Sequence, residues 1–143
     1  MSTEPLDPQR IVPVNRLDDA AAANLRRADK AAVLAQAGPL LQWLQDINWP
    51  VAAEVAEVLR PYTNDIKDEL LEVLRGDDDA WKYWCIIYLI RNAPVPRLHD
   101  ELLAELRRLV ERPAPGEPEE GVTRVAKAVW EEWTAKHAAH PSA

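Results

Sequence analysis

The chain has one cysteine, no phenylalanine, four glycines and two serines, and each scarcity removes a class of protein. A single cysteine rules out an intramolecular disulfide framework and zinc-finger spacing, and suits a reducing, cytoplasmic compartment. The serines stand at Ser2 and Ser142, in the terminal segments, so no serine is placed to act as a nucleophile inside a fold. Positive charge is in short supply: 17 Lys and Arg face 24 Asp and Glu, a net charge of −7 at pH 7. That balance argues against a general nucleic-acid binder or a binder of anionic membranes. Long apolar runs are missing as well. The longest near-apolar stretch, Tyr83 to Ile90, is far short of the roughly 20 residues a spanning helix needs. The first ten residues hold two acids and no apolar run, so a signal peptide is not expected there. No segment of useful length alternates apolar and polar residues, and nothing resembles a hairpin turn between two strands. The expected class is all-α.

What is present is a helix-forming chain of 143 residues, 48% hydrophobic, enough for one domain with one core. Twelve prolines fall almost wholly at the edges of segments with helical periodicity. Residues 1–16 read as an extended lead-in, with Ile11 and Val12 able to pin it to the core. Residues 17–136 read as one helical domain opening with a short helix, and 137–143 as a tail. Leu17, Ala21 and Leu25 form the first stripe, and Asp29 is placed to cap a second short helix ending at Gly38. Leu40, Leu41, Leu44 and Ile47 make the next stripe, starting near Pro39. Val51, Val55, Val58 and Leu59 follow until Pro61 stops them. Ile66, Leu70, Leu71 and Leu74 end at Gly76, a residue favoured just past a helix. Asp77, Asp78 and Asp79 then offer caps for Trp81 to Arg91, a helix apolar on nearly every side and so expected at the centre. Leu98, Leu102, Leu106 and Leu109 form a further stripe. A loop at 113–118 leads to a last helix lined by Val122, Val125, Val129, Trp130 and Trp133.

A repeat lies under this pattern. Leu40-Leu41-Gln42-Trp43-Leu44 aligns with Leu70-Leu71-Glu72-Val73-Leu74 and with Leu102-Leu103-Ala104-Glu105-Leu106, while Trp49 and Trp81 stand 32 residues apart. A period near 30 built from two amphipathic helices is the mark of stacked antiparallel helical hairpins, here about three, of the HEAT-like kind. Stacking would set the turns at 46–49, 76–80 and 112–118 along one edge. That edge would gather Asp46, Asp77, Asp78, Asp79, Glu117, Glu119 and Glu120, with Trp49 and Trp81 at its base.

The run from Trp43 through Asp46, Asn48, Trp49 and Pro50 to Ala52, followed by Asp79-Ala80-Trp81-Lys82-Tyr83, resembles a bacterial family catalogued only as a domain of unknown function (number fifty seventy-one). The similarity covers about 11–133, and its Gln-Asp-x-Asn-Trp-Pro-Val string is fairly specific. The chain departs from the family pattern in the Ala-Pro-Gly that follows Pro113. The resemblance implies a compact HEAT-like helical fold and brings no functional residues with it.

Few residues invite chemistry. Cys85, beside Trp84, Ile86 and Ile87, would be desolvated and its thiol pKa raised, so it reads as structural. His137 and His140 share a helical spacing suited to a metal but lack a third ligand, and His99 reads as a surface residue in a first helical turn. Asp77–Asp79 read first as helix caps, then as an acidic docking patch, and last as a hard-cation site, although EF-hand spacing is absent. Asp46 and Asn48 beside Trp49 read first as turn formers. The six tryptophans read as the large rings of a core without phenylalanine, and an exposed Trp130 or Trp133 would favour a dimer.

The expectation is therefore a non-enzymatic module that binds a basic protein, an immunity-type protein being one concrete form, with no cofactor or metal. Its docking residues would be Asp46, Asn48, Trp49, Asp77, Asp78, Asp79, Trp81 and Lys82. The competing expectation is a small-molecule or metal site at the repeat turns, formed by Asp46, Asn48, Lys82 and Tyr83.

Overall fold

The structure, a computed structural model, describes residues 11–15, 19–48 and 50–139. Among them the chain is all-helical, with no strand. The elements are α1 (Asp19–Arg27), α2 (Lys30–Ala35), α3 (Ala37–Leu41), α4 (Pro50–Leu59), α5 (Lys67–Leu74), α6 (Asp79–Cys85), α7 (Asp100–Glu111) and α8 (Val122–Ala139). A 3₁₀ turn over Gln42–Gln45 extends α3, and a π-helical turn over Ile86–Ile90 extends α6.

Several starts follow from side-chain caps, which satisfy the N–H groups that a helix leaves free. The Asp29 carboxylate accepts from the Ala32 N–H at 2.9 Å, and the Asp78 carboxylate from the Trp81 N–H at 3.1 Å. His99 is the cap of α7, its Nδ1 accepting from the Glu101 N–H at 3.1 Å. Two expected helices take another form. The break before the Leu40 stripe falls at Gln36, not Gly38, because Pro39 sits in the first turn of α3, where its missing N–H costs no helical bond. The helix expected over Trp81–Arg91 begins at Asp79 and widens after Cys85, where the Arg91 N–H bonds the Ile86 carbonyl at 2.9 Å, five residues back.

α3 and α4, α5 and α6, and α7 and α8 follow one another in the chain, and the members of each pair touch. Across pairs, α3 packs on α5 and α5 on α7, while the α6–π segment packs on both α4 and α8. The aligned leucines of the repeat lie inside: Leu40, Leu70 and Leu102 are fully buried, as are Leu44, Leu74 and Leu106. The α6–π segment is central, as its composition implies, with Cys85, Ile86, Leu89 and Ile90 all buried.

Widening the helix leaves carbonyls at its C-terminal end, and side chains from other elements meet them. Arg60 Nε donates to the Tyr88 carbonyl at 2.8 Å and Trp133 Nε1 to the Ile90 carbonyl at 2.8 Å. The Asn92 amide reaches the Ile87 carbonyl at 3.3 Å. Arg60 also brings positive charge to the negative end of the helix dipole.

At the start of the described chain Ile11 is buried, and the Pro13 carbonyl accepts from Trp43 Nε1 at 3.1 Å. At the other end α8 runs on to Ala139, so residues 137–139 belong to the last helix and not to a tail. Trp133 is buried, which removes it from any dimer surface, and Trp130 is half-buried. Among the described residues no helix is long and apolar enough to cross a membrane.

Candidate functional site

Helix α5 carries Glu69, Glu72 and Val73 at i, i+3 and i+4, and Gly76 follows one turn later, so all four fall on one face. That face meets α3 across a cavity of about 430 Å³, to which the turn into α6 also contributes lining. Leu41, Pro39 and Val73 supply apolar lining, Trp81 an aromatic one, and Glu69, Glu72, Asp77 and Asp78 supply carboxylates. No lysine or arginine lines it. Trp81 is held in place because its Nε1–H donates to the Leu41 carbonyl at 2.8 Å. Asp78 is engaged in capping α6, whereas Glu69, Glu72 and Asp77 make no ion pair among the described residues. Gly38 keeps the α3 wall open: a Cβ there would meet nothing within 4 Å. The result is a half-apolar groove whose charge is uncompensated and wholly negative.

Behind the 77–79 turn lies a second, very different set of charges. Lys82 Nζ contacts Glu117 Oε2 and Asp79 Oδ1, each at 2.9 Å. The other oxygen of Glu117 receives Arg108 Nη1 at 3.0 Å and the Ala114 backbone N–H. Arg108 Nε reaches Glu105 at 2.7 Å, and Arg75 Nε meets the same carboxylate at 3.3 Å. Lys82 is 2% exposed and Glu117 not at all. Burial works against the charge of each, yet their partners outweigh it. Lys82 is held above the usual lysine pKa by Glu117 and Asp79, and Glu117 below the usual carboxylate range by Arg108, Lys82 and the Ala114 N–H. Among the described residues no buried side-chain nitrogen or oxygen lacks a partner. This cluster fastens α6, α7 and the 112–121 loop together and offers no free group to a ligand.

The sequence-based candidates therefore separate. Asp77, Asp78 and Trp81 come together at the groove. Asp79 and Lys82 come together in the buried cluster, so Lys82 is not a surface docking residue: a cation in a helix enclosed on several sides is buried with its counter-charges. Glu117, expected on the acidic edge, faces inward for the same reason, although its loop does lie against the 76–80 turn. A Cβ added at Gly116, whose φ is +94°, would come within 2.7 Å of Asp79 Oδ2. Asp46 accepts from the Asn48 N–H at 3.0 Å and so forms its own turn, with no side-chain bond to the other two turns. Asp46, Asn48, Lys82 and Tyr83 are thus not assembled into one polar site by any bond among the described residues. Trp49 and His140 lie outside the described residues.

Glu69 and Glu72 were not singled out from the sequence. The signal was available, since both sit at helical spacing on the face beside Gly76, opposite the leucines that α5 buries. The remaining chemical candidates are occupied structurally. Cys85 is fully buried and its thiol is pushed far up, by burial first and then by the Asp78 charge. His137 Nε2 accepts from the Leu98 N–H at 3.0 Å. Among the described residues no group of three or more His, Cys, Asp or Glu side chains is placed to hold a metal ion.

A family model described as "Domain of unknown function (DUF5071)" matches residues 11–130, and the chain belongs to that family. No curated protein matches the chain.

Proposed function

We propose that this family member is a non-enzymatic protein-interaction module, folded as HEAT-like stacked helical hairpins, that docks a basic partner protein over the acidic groove. The hairpin reading is supported by the packing of first helices on first helices and of second helices on second helices, with equivalent leucines buried in all three pairs. The docking reading rests on one observation above all: Glu69, Glu72 and Asp77 line a groove to which no lysine or arginine contributes. Folded surfaces generally intersperse charges of both signs, and a cavity lined by one sign focuses the field and steers an oppositely charged partner. The absence of a catalytic role fits the state of the reactive groups. Cys85 is shifted in the direction opposite to that of a nucleophile, and His99 and His137 serve as hydrogen-bond acceptors in the frame. Neutralisation of a basic bacterial toxin, as an immunity-type protein does, is the concrete form of this reading that suits a small acidic module.

Affinity capture from native lysate at low and high salt tests it, with the wild-type chain beside a variant in which Glu69, Glu72 and Asp77 become Gln, Gln and Asn. The expected result is a basic protein kept by wild type, released by salt and lost by the variant. A partner retained equally by both chains, or no partner at either salt, overturns the acidic docking surface.

A further inference from the structure

Resting on the docking reading above, we infer that the groove between α3 and α5 accepts a single arginine side chain from the partner's basic segment. Four features of the cavity point to a guanidinium and not simply to positive charge. Its lining combines apolar surface from Pro39, Leu41 and Val73 with carboxylates, a pairing that suits a long cation whose methylenes need cover and whose head needs a counter-charge. Trp81, part of the lining, is fixed by its bond to the Leu41 carbonyl, and a rigid indole is the best aromatic surface for a weakly hydrated planar cation. Glu72 and Asp77 are exposed, unpaired, and come from two elements, α5 and the turn after it. A planar fork of donors can bond carboxylates on either side of it, whereas an ammonium is a point charge with a tighter hydration shell. Finally, about 430 Å³ is space for a side chain and its flanking backbone, not for a folded element.

The glycine at position 38 makes the inference testable without disturbing charge. Since a Cβ at Gly38 would meet open space, Gly38→Leu fills the groove from the α3 side and leaves every carboxylate in place. Glu72→Gln with Asp77→Asn does the reverse, keeping the space and removing charge. Both changes lie at exposed or open positions, and a cooperative melt at or above the wild-type melting temperature verifies that each variant is folded.

The probe is a capped peptide with two arginines, titrated at about 20 mM salt, where screening is weak, into the full ¹⁵N-labelled chain. The same peptide with lysine, and with uncharged citrulline, runs in parallel. The expected result is saturable shifting of the Trp81 indole N–H and of the Glu72, Val73, Gly76 and Asp77 amides. Affinity should fall by about ten-fold or more in Glu72→Gln with Asp77→Asn, the loss that removing one charge-assisted hydrogen bond produces, and by a similar factor in Gly38→Leu through occlusion of the groove, and citrulline should abolish binding. Equal binding of the lysine peptide at the same residues overturns the assignment to arginine. Shifts centred elsewhere on the acidic surface overturn the groove while leaving the docking reading standing. No shift anywhere overturns the inference, and the capture experiment then decides separately whether the docking reading falls with it.

Discussion

Removing the Glu117 carboxylate takes a shared partner from two cations at once, leaving Lys82 with Asp79 alone and Arg108 with Glu105. Lys82 and Arg108 both lean on it from inside the molecule, and a buried ion pair broken by loss of one partner typically costs about 3–5 kcal/mol. Glu117→Gln is therefore expected to lower the unfolding free energy by about 3 kcal/mol in urea titrations. In a double-mutant cycle with Lys82→Met the two losses should be less than additive by at least about 1 kcal/mol, because the second change removes a charge that the first left with one partner in place of two. His137 gives a second prediction at the same scale. Burial first, and the Arg97 charge second, lower its pKa, with Asp100 opposing, and its neutral Nε2 is what accepts from Leu98. A histidine whose folded pKa is depressed stabilises the protein fully above its unfolded pKa of about 6.5, and that stability is lost as pH falls through the folded value. Melting temperature should thus drop between pH 7.5 and 5.5 in the wild type, and drop less in His137→Gln, measured in matched buffers.

At the scale of elements, the helices could be read because burial repeats every turn. Leu40, Leu70 and Leu102 declare the same inward position three times, and Asp29 and Asp78 declare two starts. The π-helical turn could not be read. Its carbonyls are satisfied by Arg60 and Trp133, residues 28 and 43 positions away, and local sequence carries no trace of such partners. The ion cluster was half-legible for a related reason: a lone lysine amid Trp81, Tyr83, Trp84 and Ile86 demands a counter-charge, but nothing in the Pro-rich 113–118 segment marks Glu117 as its source. Two glycines give opposite predictions. Gly38 lies inside α3 with open space where a Cβ would go, so Gly38→Ala should stabilise by about 0.5–1 kcal/mol. Gly116 has a φ of +94° and would drive a Cβ into Asp79. Gly116→Ala should destabilise by about 1–3 kcal/mol, and the same thermal scans will rank both variants against wild type.

For the whole molecule, two groups of acids that are close in sequence do opposite work. Asp79 and Glu117 are consumed inside by Lys82, while Asp77, two residues before Asp79, stays unpaired at the groove. Net charge therefore overstates the structural share of the acids and understates how far they are localised at one surface. The sequence repeat pointed to an acidic edge at three turns; the groove takes acids from the 76–80 turn alone, while Glu117 is buried and Asp46 bonds within its own turn.

The bond between Lys82 and Glu117 spans 35 positions of chain, and it sets a limit on dissection. A fragment ending after α7 would keep every aligned leucine of the repeat and two complete helix pairs, and so would look like a self-sufficient piece. It would also deprive Lys82 and Arg108 of the carboxylate they share, leaving each with one acid in place of two. Unlike an array that can be shortened one unit at a time, this chain has its last unit written into the charge balance of the ones before it.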